Sequence, residues 1–208
     1  MKTIYKSTIL ISLLFLCTVF TPGIYGQGSK NIYTNIDWQW NLPVGNDYAN
    51  VFSGWGANVE SGYFVTENVA VGAFLSFHTN NKYIERKTLE TPAGAITTDQ
   101  QHSIFQLPFG LASRYVFPGG DFVKPYLGAK IGANYSKISS YMNIYEVYDK
   151  PWGFFISPEI GATFYPNPTK KYGIHLATYY SYATNSTDFL EYSVNGLSNW
   201  GVRLGVEF

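Results

Sequence analysis

The sequence contains little cysteine and little charge. Its 208 residues include one cysteine, Cys17, which lies in a segment predicted to be removed, so the remaining chain has no disulfide and no thiol chemistry. Charged residues make up 13% of the chain and the formal net charge is zero. That share is about half of the usual one. The low charge excludes the strongly basic surface that is typical of nucleic-acid-binding proteins.

A long hydrophobic run is found only near the N-terminus, where it predicts a secretion signal. Lys2 and Lys6 precede an apolar run over residues 9–20, and Gly26 supplies a small residue for cleavage. The run is too short to span a bilayer, which needs ~20 residues. We therefore expect a signal peptide over residues 1–26 and a single domain over residues 27–208. No later segment is apolar for long enough to form a membrane helix.

Aromatic residues and glycine are abundant instead. The chain has 18 Tyr, 15 Phe and 20 Gly, and aromatic residues make up 18% of it. Few charges, many aromatics and no helical span together are typical of a β-barrel in an outer membrane. A soluble lipocalin also combines a signal peptide with eight strands. Its apolar face would line the interior, so the charges on the polar faces of the strands described below argue against that alternative.

Eight segments alternate between apolar and polar residues with a period of two, which predicts β-strands with one apolar face. Each has about the ~9–11 residues that a tilted membrane strand needs. The clearest segment closes the chain, where Trp200, Val202, Leu204, Val206 and Phe208 alternate with small or charged residues. The eight segments are residues 32–42, 55–65, 69–79, 103–117, 125–135, 154–164, 172–182 and 200–208.

The connections between these segments alternate in length. Residues 66–68, 118–124 and 166–171 form short connections, whereas residues 43–54, 80–102, 137–153 and 183–196 form long ones. This rhythm predicts an all-β fold, an eight-stranded antiparallel up-and-down transmembrane β-barrel with short periplasmic turns and long extracellular loops. An even number of strands closes such a sheet without leaving an edge.

The pattern resembles that of the small outer-membrane barrels of Gram-negative bacteria, the group that includes the OmpA membrane domain and the OmpX-like and OmpW-like proteins. The resemblance extends over nearly all of residues 27–208 and includes the segments 62–70 and 106–109 and the terminal Phe208. It implies a location in the outer membrane, in contact with its lipids and with both termini in the periplasm. It also implies that Leu204, Val206 and Phe208 form the assembly signal read by the barrel-insertion machinery.

The polar faces of the strands carry ionisable residues that the alternation places inside the barrel. An eight-stranded barrel is just wide enough for side chains to fill it, so charges there must pair. We predict that Arg203 and Lys130 are shared among three acids and that Arg114 pairs with Glu207 below them. The network is interpreted as a plug, with a gated path for ions or small solutes as the alternative. Its predicted members are Asp37, Glu60, Lys130, Glu159, Arg203, Arg114, Glu207 and His175.

The long connections contain aromatic residues that could form a binding surface, because exposed aromatics are unusual. The other interpretation is that they extend the upper aromatic belt or pack the loops together. These residues are Tyr141, Tyr145, Tyr148, Phe189 and Tyr192.

The function predicted from the sequence is structural. We expect a monomeric outer-membrane barrel that supports the membrane and whose loops contact an unidentified ligand at the cell surface. A narrow channel for ions or small solutes is the alternative, and a lipid-modifying enzyme is a more distant one, because the three histidines are scattered. No catalytic residue, cofactor or metal site is predicted, and nucleic acid is not expected as a partner.

Overall fold

A computed structural model describes residues 31–91, 94–118, 120, 122–143, 145–166, 172–189 and 192–208. The predicted signal peptide over residues 1–26 lies outside these residues. The described residues form nine strands: β1 (Ile32–Val44), β2 (Gly56–Phe64), β3 (Val69–Thr91), β4 (Gly94–Val116), β5 (Val123–Met142), β6 (Tyr145–Asp149), β7 (Trp152–Phe164), β8 (Gly173–Phe189) and β9 (Tyr192–Glu207).

Eight of these strands close into an antiparallel ring. Each of β1 to β5 pairs with the next, β5 also pairs with β7, and the ring continues through β8 and β9. It closes where β1 pairs with β9, as in the pair Ile36 and Val206. Phe208 extends this seam through two backbone hydrogen bonds with Thr34. The prediction of an eight-stranded antiparallel barrel is confirmed, and the short β6 lies outside the ring as a partner of β5.

The two faces of the wall differ as the alternation requires. Outward residues are large, apolar and exposed, as shown by Ile36 at 54%, Leu127 at 52% and Leu204 at 44% exposure. In the bilayer these side chains contact lipid rather than water. Inward residues are buried and mostly polar. In the part of the chain that the structure describes, no helix is long and apolar enough to cross a membrane.

The long connections are more ordered than expected. Strands β3 and β4 continue to Thr91 and Gly94, and β8 and β9 continue to Phe189 and Tyr192, so most of residues 80–102 and 183–196 are β-hairpins rather than irregular loops. β-Branched residues such as Thr88 and Thr97, which lie opposite each other, favour an extended backbone, so the two strands stay paired above the barrel. We call the end of the barrel that carries these hairpins the upper end, and the end with Phe208 the lower end.

Candidate functional site

All eight ionisable residues that the sequence places inside the barrel have buried, inward-facing side chains. They come from seven of the eight ring strands, because every second residue of each strand points toward the barrel axis. Water is largely excluded at this level, so each charge needs a partner of opposite sign or several hydrogen bonds.

Glu159 is the centre of the network. Its Oε2 atom lies 3.1 Å from Lys130 Nζ and also accepts a hydrogen bond from Arg203 Nη1. Lys130 Nζ lies 2.7 Å from Glu60 Oε2 as well, so this ammonium group joins two carboxylates. Arg203 uses its Nε atom to donate to Gln39 Oε1 at 2.9 Å. The structure thus brings together Arg203, Lys130, Glu60 and Glu159.

Arg114 joins the network to the lower end. Its two terminal nitrogens lie 3.0 Å from Glu60 Oε1 and 2.7 Å from Glu207 Oε2. The guanidinium group is sandwiched between the rings of Tyr33 and Tyr126, with 4.3 and 3.9 Å between its central carbon and the ring centroids. Stacking and a bidentate arrangement are available to arginine but not to lysine. Arg114 therefore contacts Glu60 in addition to Glu207, the partner proposed from the sequence.

Asp37 has other partners than those predicted from the sequence. Its carboxylate lies 2.6 Å from His175 Nδ1 and accepts a hydrogen bond of 2.9 Å from Asn58, instead of pairing with Arg203 or Lys130. The strand register explains this pairing. Asp37 on β1 and His175 on β8 both lie opposite Gly205 of β9, the strand between them. Since Gly205 has no side chain, nothing separates the two residues. Arg203 lies one inward position higher.

Neutral side chains complete the network, a role that was not predicted from the sequence. The Tyr126 hydroxyl donates to Glu159 Oε1 at 2.5 Å and lies 2.7 Å from His175 Nε2. The hydroxyls of Tyr33 and Tyr165 donate to Glu60 and Glu207. Tyr33 and Tyr126 share the inward parity of the charged residues, and this signal could have identified them. Tyr165 follows the end of β7, where parity is no longer informative.

An apolar cluster closes the upper lumen. Residues 45–55, which we call the inner loop, insert Tyr48 and Ala49 into the barrel, where these residues are 1% and 0% exposed, whereas Val51, Phe52 and Trp55 of the same loop stay exposed. The Tyr48 ring stacks on His102, with 4.1 Å between centroids and 9° between planes. Tyr48 and Ala49 belong to a buried apolar cluster with inward residues of the wall, including Ile104, Phe155, Ile138, Val194 and Leu197. The lumen is thus occupied at two levels, charged below and apolar above.

The aromatic residues predicted for a loop surface differ in their exposure. Tyr141, Tyr145 and Tyr148 are exposed on the hairpin of β5 and β6. Tyr192 is half-buried and packs against Tyr48, with 5.4 Å between the ring centroids. Phe189 ends β8, and its side chain lies outside the described residues.

Charged groups surround Tyr148 on this hairpin. The ammonium groups of Lys137 and Lys150 each lie 4.9 Å from the centre of the Tyr148 ring. Lys137 donates to Glu146 at 2.5 Å, and this hydrogen bond raises the pKa of Lys137 and lowers the pKa of Glu146. Among the described residues, no group of three or more His, Cys, Asp or Glu side chains is placed to hold a metal ion.

Replacing Tyr145 and Tyr148 with serine is expected to leave folding unchanged. Both side chains are more than half exposed, so few contacts are lost. Folding in detergent can be followed on gels by the change in mobility between heated and unheated barrel. A matched change of the buried Tyr126 to serine should reduce the folded fraction. Loss of the folded species in the Tyr145 and Tyr148 variant would show that these residues are structural.

The sequence and the fold identify the class of protein. The chain belongs to the outer membrane protein beta-barrel domain family, whose sequence profile matches residues 12–208. The fold and the family therefore define a barrel of the bacterial outer membrane. A comparison with curated proteins finds no match.

Solved structures with a similar fold are small outer-membrane barrels. Neisserial surface protein A is 17% identical, with a TM-score of 0.47, over 85% of this chain and 95% of that one. OprG from Pseudomonas aeruginosa is 15% identical, with a TM-score of 0.48, over 85% and 94% of the two chains. Outer membrane protein W of E. coli is 15% identical, with a TM-score of 0.45, over 86% and 96%. These similarities concern the fold alone.

Proposed function

We propose that the protein is a monomeric, sealed barrel that stabilises the outer membrane and holds β-hairpins at the cell surface. The observation that carries this proposal is the buried charge network, in which Glu159 contacts Lys130, Arg203 and Tyr126 at once. An ion that passed this level would have to break these contacts. Breaking one buried pair typically costs about 3–5 kcal/mol, so a continuous open path through the charged level is strongly disfavoured.

The surface part of the proposal rests on the hairpins at the upper end. In the proposed orientation both termini are periplasmic, and the hairpin of β3 and β4 projects away from the cell. Tyr145 at 70% and Tyr148 at 51% exposure offer aromatic side chains to a partner outside. Aromatic residues contribute much of the energy in many binding surfaces. The partner is an extracellular molecule whose chemistry the hairpins do not specify.

The closing strand supports a role for the C-terminus in assembly. Leu204, Val206 and Phe208 face outward and are exposed at 44%, 38% and 62%. They lie on β9 or directly after it, at the seam with β1. We propose that these three side chains are the signal that the insertion machinery reads before the barrel closes. In the finished barrel they contact the lipids of the outer membrane.

A narrow channel is the second candidate, because a polar layer lies between the charged network below and the apolar cluster above. The buried atoms Asn41 Nδ2, His78 Nε2 and Asn134 Oδ1 have no hydrogen-bond partner among the described residues. Such a lining would suit a hydrated path if both the charged network and the apolar cluster opened. We propose no enzymatic activity, because no nucleophile of the described lumen lies in an accessible site with a base.

Solute uptake distinguishes the sealed barrel from the channel. We expect liposomes that contain the refolded protein to swell in small sugars at the rate of protein-free liposomes. Light scattering measures the swelling, and a known open porin is the positive control. Swelling that depends on solute size and changes with Lys130→Gln would identify the lumen as a path and overturn the sealed barrel.

A further inference from the structure

The barrel wall is incomplete above the membrane, at the inner loop. Strand β1 ends at Val44 and β2 begins at Gly56, but their neighbours β9 and β3 continue further upward, as far as Tyr192 and Thr91. Neighbouring strands lie ~4.8 Å apart, so the upper wall lacks the width of two strands there. The inner loop, residues 45–55, occupies this gap and turns inward.

Side chains of the wall clamp the inner loop through its backbone carbonyl groups. Lys82 Nζ donates to the Asp47 oxygen at 2.7 Å, and Asn80 Nδ2 donates to the Val51 oxygen at 3.2 Å. His102 Nδ1 donates to the Tyr48 oxygen at 3.0 Å. Carbonyl groups of any sequence can accept such bonds.

A second clamp crosses the gap itself. Lys87 Nζ on β3 lies 3.3 Å from the Tyr192 hydroxyl on β9, and 5.4 Å from the centre of its ring. Tyr192 in turn contacts Tyr48 and His102 edge-on, with 5.4 and 5.0 Å between ring centroids. Lys87 therefore supports the wall of the pocket that holds Tyr48.

Near its C-terminal end, the inner loop is tied to the wall by backbone hydrogen bonds. Within the described residues, Ser53 exchanges two bonds with Asn41, and Trp55 accepts one from Thr79. At the other end, Gly45 has a φ of +69°, a conformation that glycine adopts without strain. Residues 46–52 can therefore move as a unit about Gly45 and Ser53 while the ring stays intact.

The inner loop packs on a surface that is partly polar. Asn80, Gln106 and Asn199 lie there beside the apolar Ile104 and Leu197. The buried atoms Asn80 Oδ1 and Asn199 Nδ2 have no hydrogen-bond partner among the described residues. Buried polar atoms without partners are unfavourable, and opening the loop would let water reach them. Burial of Tyr48 favours the closed state, whereas these amides favour the open one.

We infer that the inner loop is a lid that opens and closes over the upper lumen, with Lys82 and Lys87 as its clamps. This inference goes beyond the proposed function, because the charged level below the lid stays shut in both states. Opening exposes the buried amide groups of Asn80 and Asn199 to the outside and releases Tyr48 from its pocket.

Cysteine accessibility tests the lid directly. In a Cys17→Ser background, Ala49→Cys places a thiol at the buried tip, and Thr88→Cys and Ala177→Cys give exposed and deep-lumen references. We expect a bulky water-soluble maleimide to modify residue 49 slowly and residue 177 hardly at all. Adding Lys82→Met and Lys87→Met should speed modification of residue 49 roughly tenfold, as expected for the loss of two hydrogen bonds.

Three results would overturn the lid. Residue 49 could be as unreactive as residue 177 in both backgrounds, its rate could be unaffected by the clamp changes, or residue 177 could gain as much as residue 49, which would show general loosening. Gel mobility of the unheated protein confirms that each variant is folded. These outcomes do not depend on whether the barrel conducts.

Discussion

Replacing Glu159 with glutamine is expected to lower the free energy of unfolding by about 3–5 kcal/mol. Glutamine has nearly the same shape, so the change removes the negative charge and little volume. Arg203 loses its carboxylate partner, and Lys130 keeps only Glu60. Both cations stay buried at 2% exposure or less, where water cannot replace the lost partner. Urea unfolding of the barrel refolded in lipid vesicles measures the change.

Glu146→Gln is the matched control for this prediction. Glu146 also pairs with a lysine, Lys137, but the pair is on the exposed hairpin of β5 and β6 and in contact with water. Exposed pairs contribute little to stability, so the unfolding curve should not shift measurably. The account of the network fails if Glu159→Gln costs less than about 1 kcal/mol, the range of exposed pairs, or if both variants lose the same amount.

Replacing Gly132 with alanine should destabilise the barrel by at least about 3 kcal/mol, the upper range for overpacking. Gly132 on β5 lies opposite Gly110 on β4, and an added methyl group would collide with the carbonyl oxygen of Phe109 and with the Gly110 backbone. Because both obstacles are backbone atoms, a rotamer change cannot relieve the collision. The strands must separate instead, which weakens the ladder between β4 and β5.

Gly120→Ala is the control for the collision. A methyl group at Gly120 meets no atom within 4 Å, so any effect there comes only from the unfolded chain. Unfolding of the two variants in the same vesicles compares them directly. Equal stability of Gly132→Ala and the parent would mean that β4 and β5 are further apart than described.

The architecture was predictable because the membrane imposes a simple rule. One face of each strand meets lipid and the other meets the lumen, so the alternation in residues such as Leu204 and Arg203 fixes which side chains are inside. The same parity places the eight ionisable residues of the predicted network inside the barrel. The individual pairs were harder to predict, because heights depend on the stagger between strands. Asp37 and His175 meet across Gly205, a juxtaposition that only the register reveals.

Above the membrane the rule no longer holds. Both faces of a hairpin can meet water there, so residues 80–102 show no clear alternation although they are mostly strand. The sequence likewise does not show that the inner loop turns inward. Tyr48 lies in a polar segment whose burial depends on a gap in the wall and on contacts with His102 and Tyr192, which are distant in sequence.

The central claim is that side chains of opposite charge pair with one another and close the lumen. Single-channel recording tests this claim most directly. We expect the refolded protein, inserted into a planar bilayer in concentrated salt, to give no steady conductance steps at either polarity. Steady unitary currents that persist after repurification, and whose ion selectivity shifts in Lys130→Gln, would show that ions pass the charged level and would contradict the account.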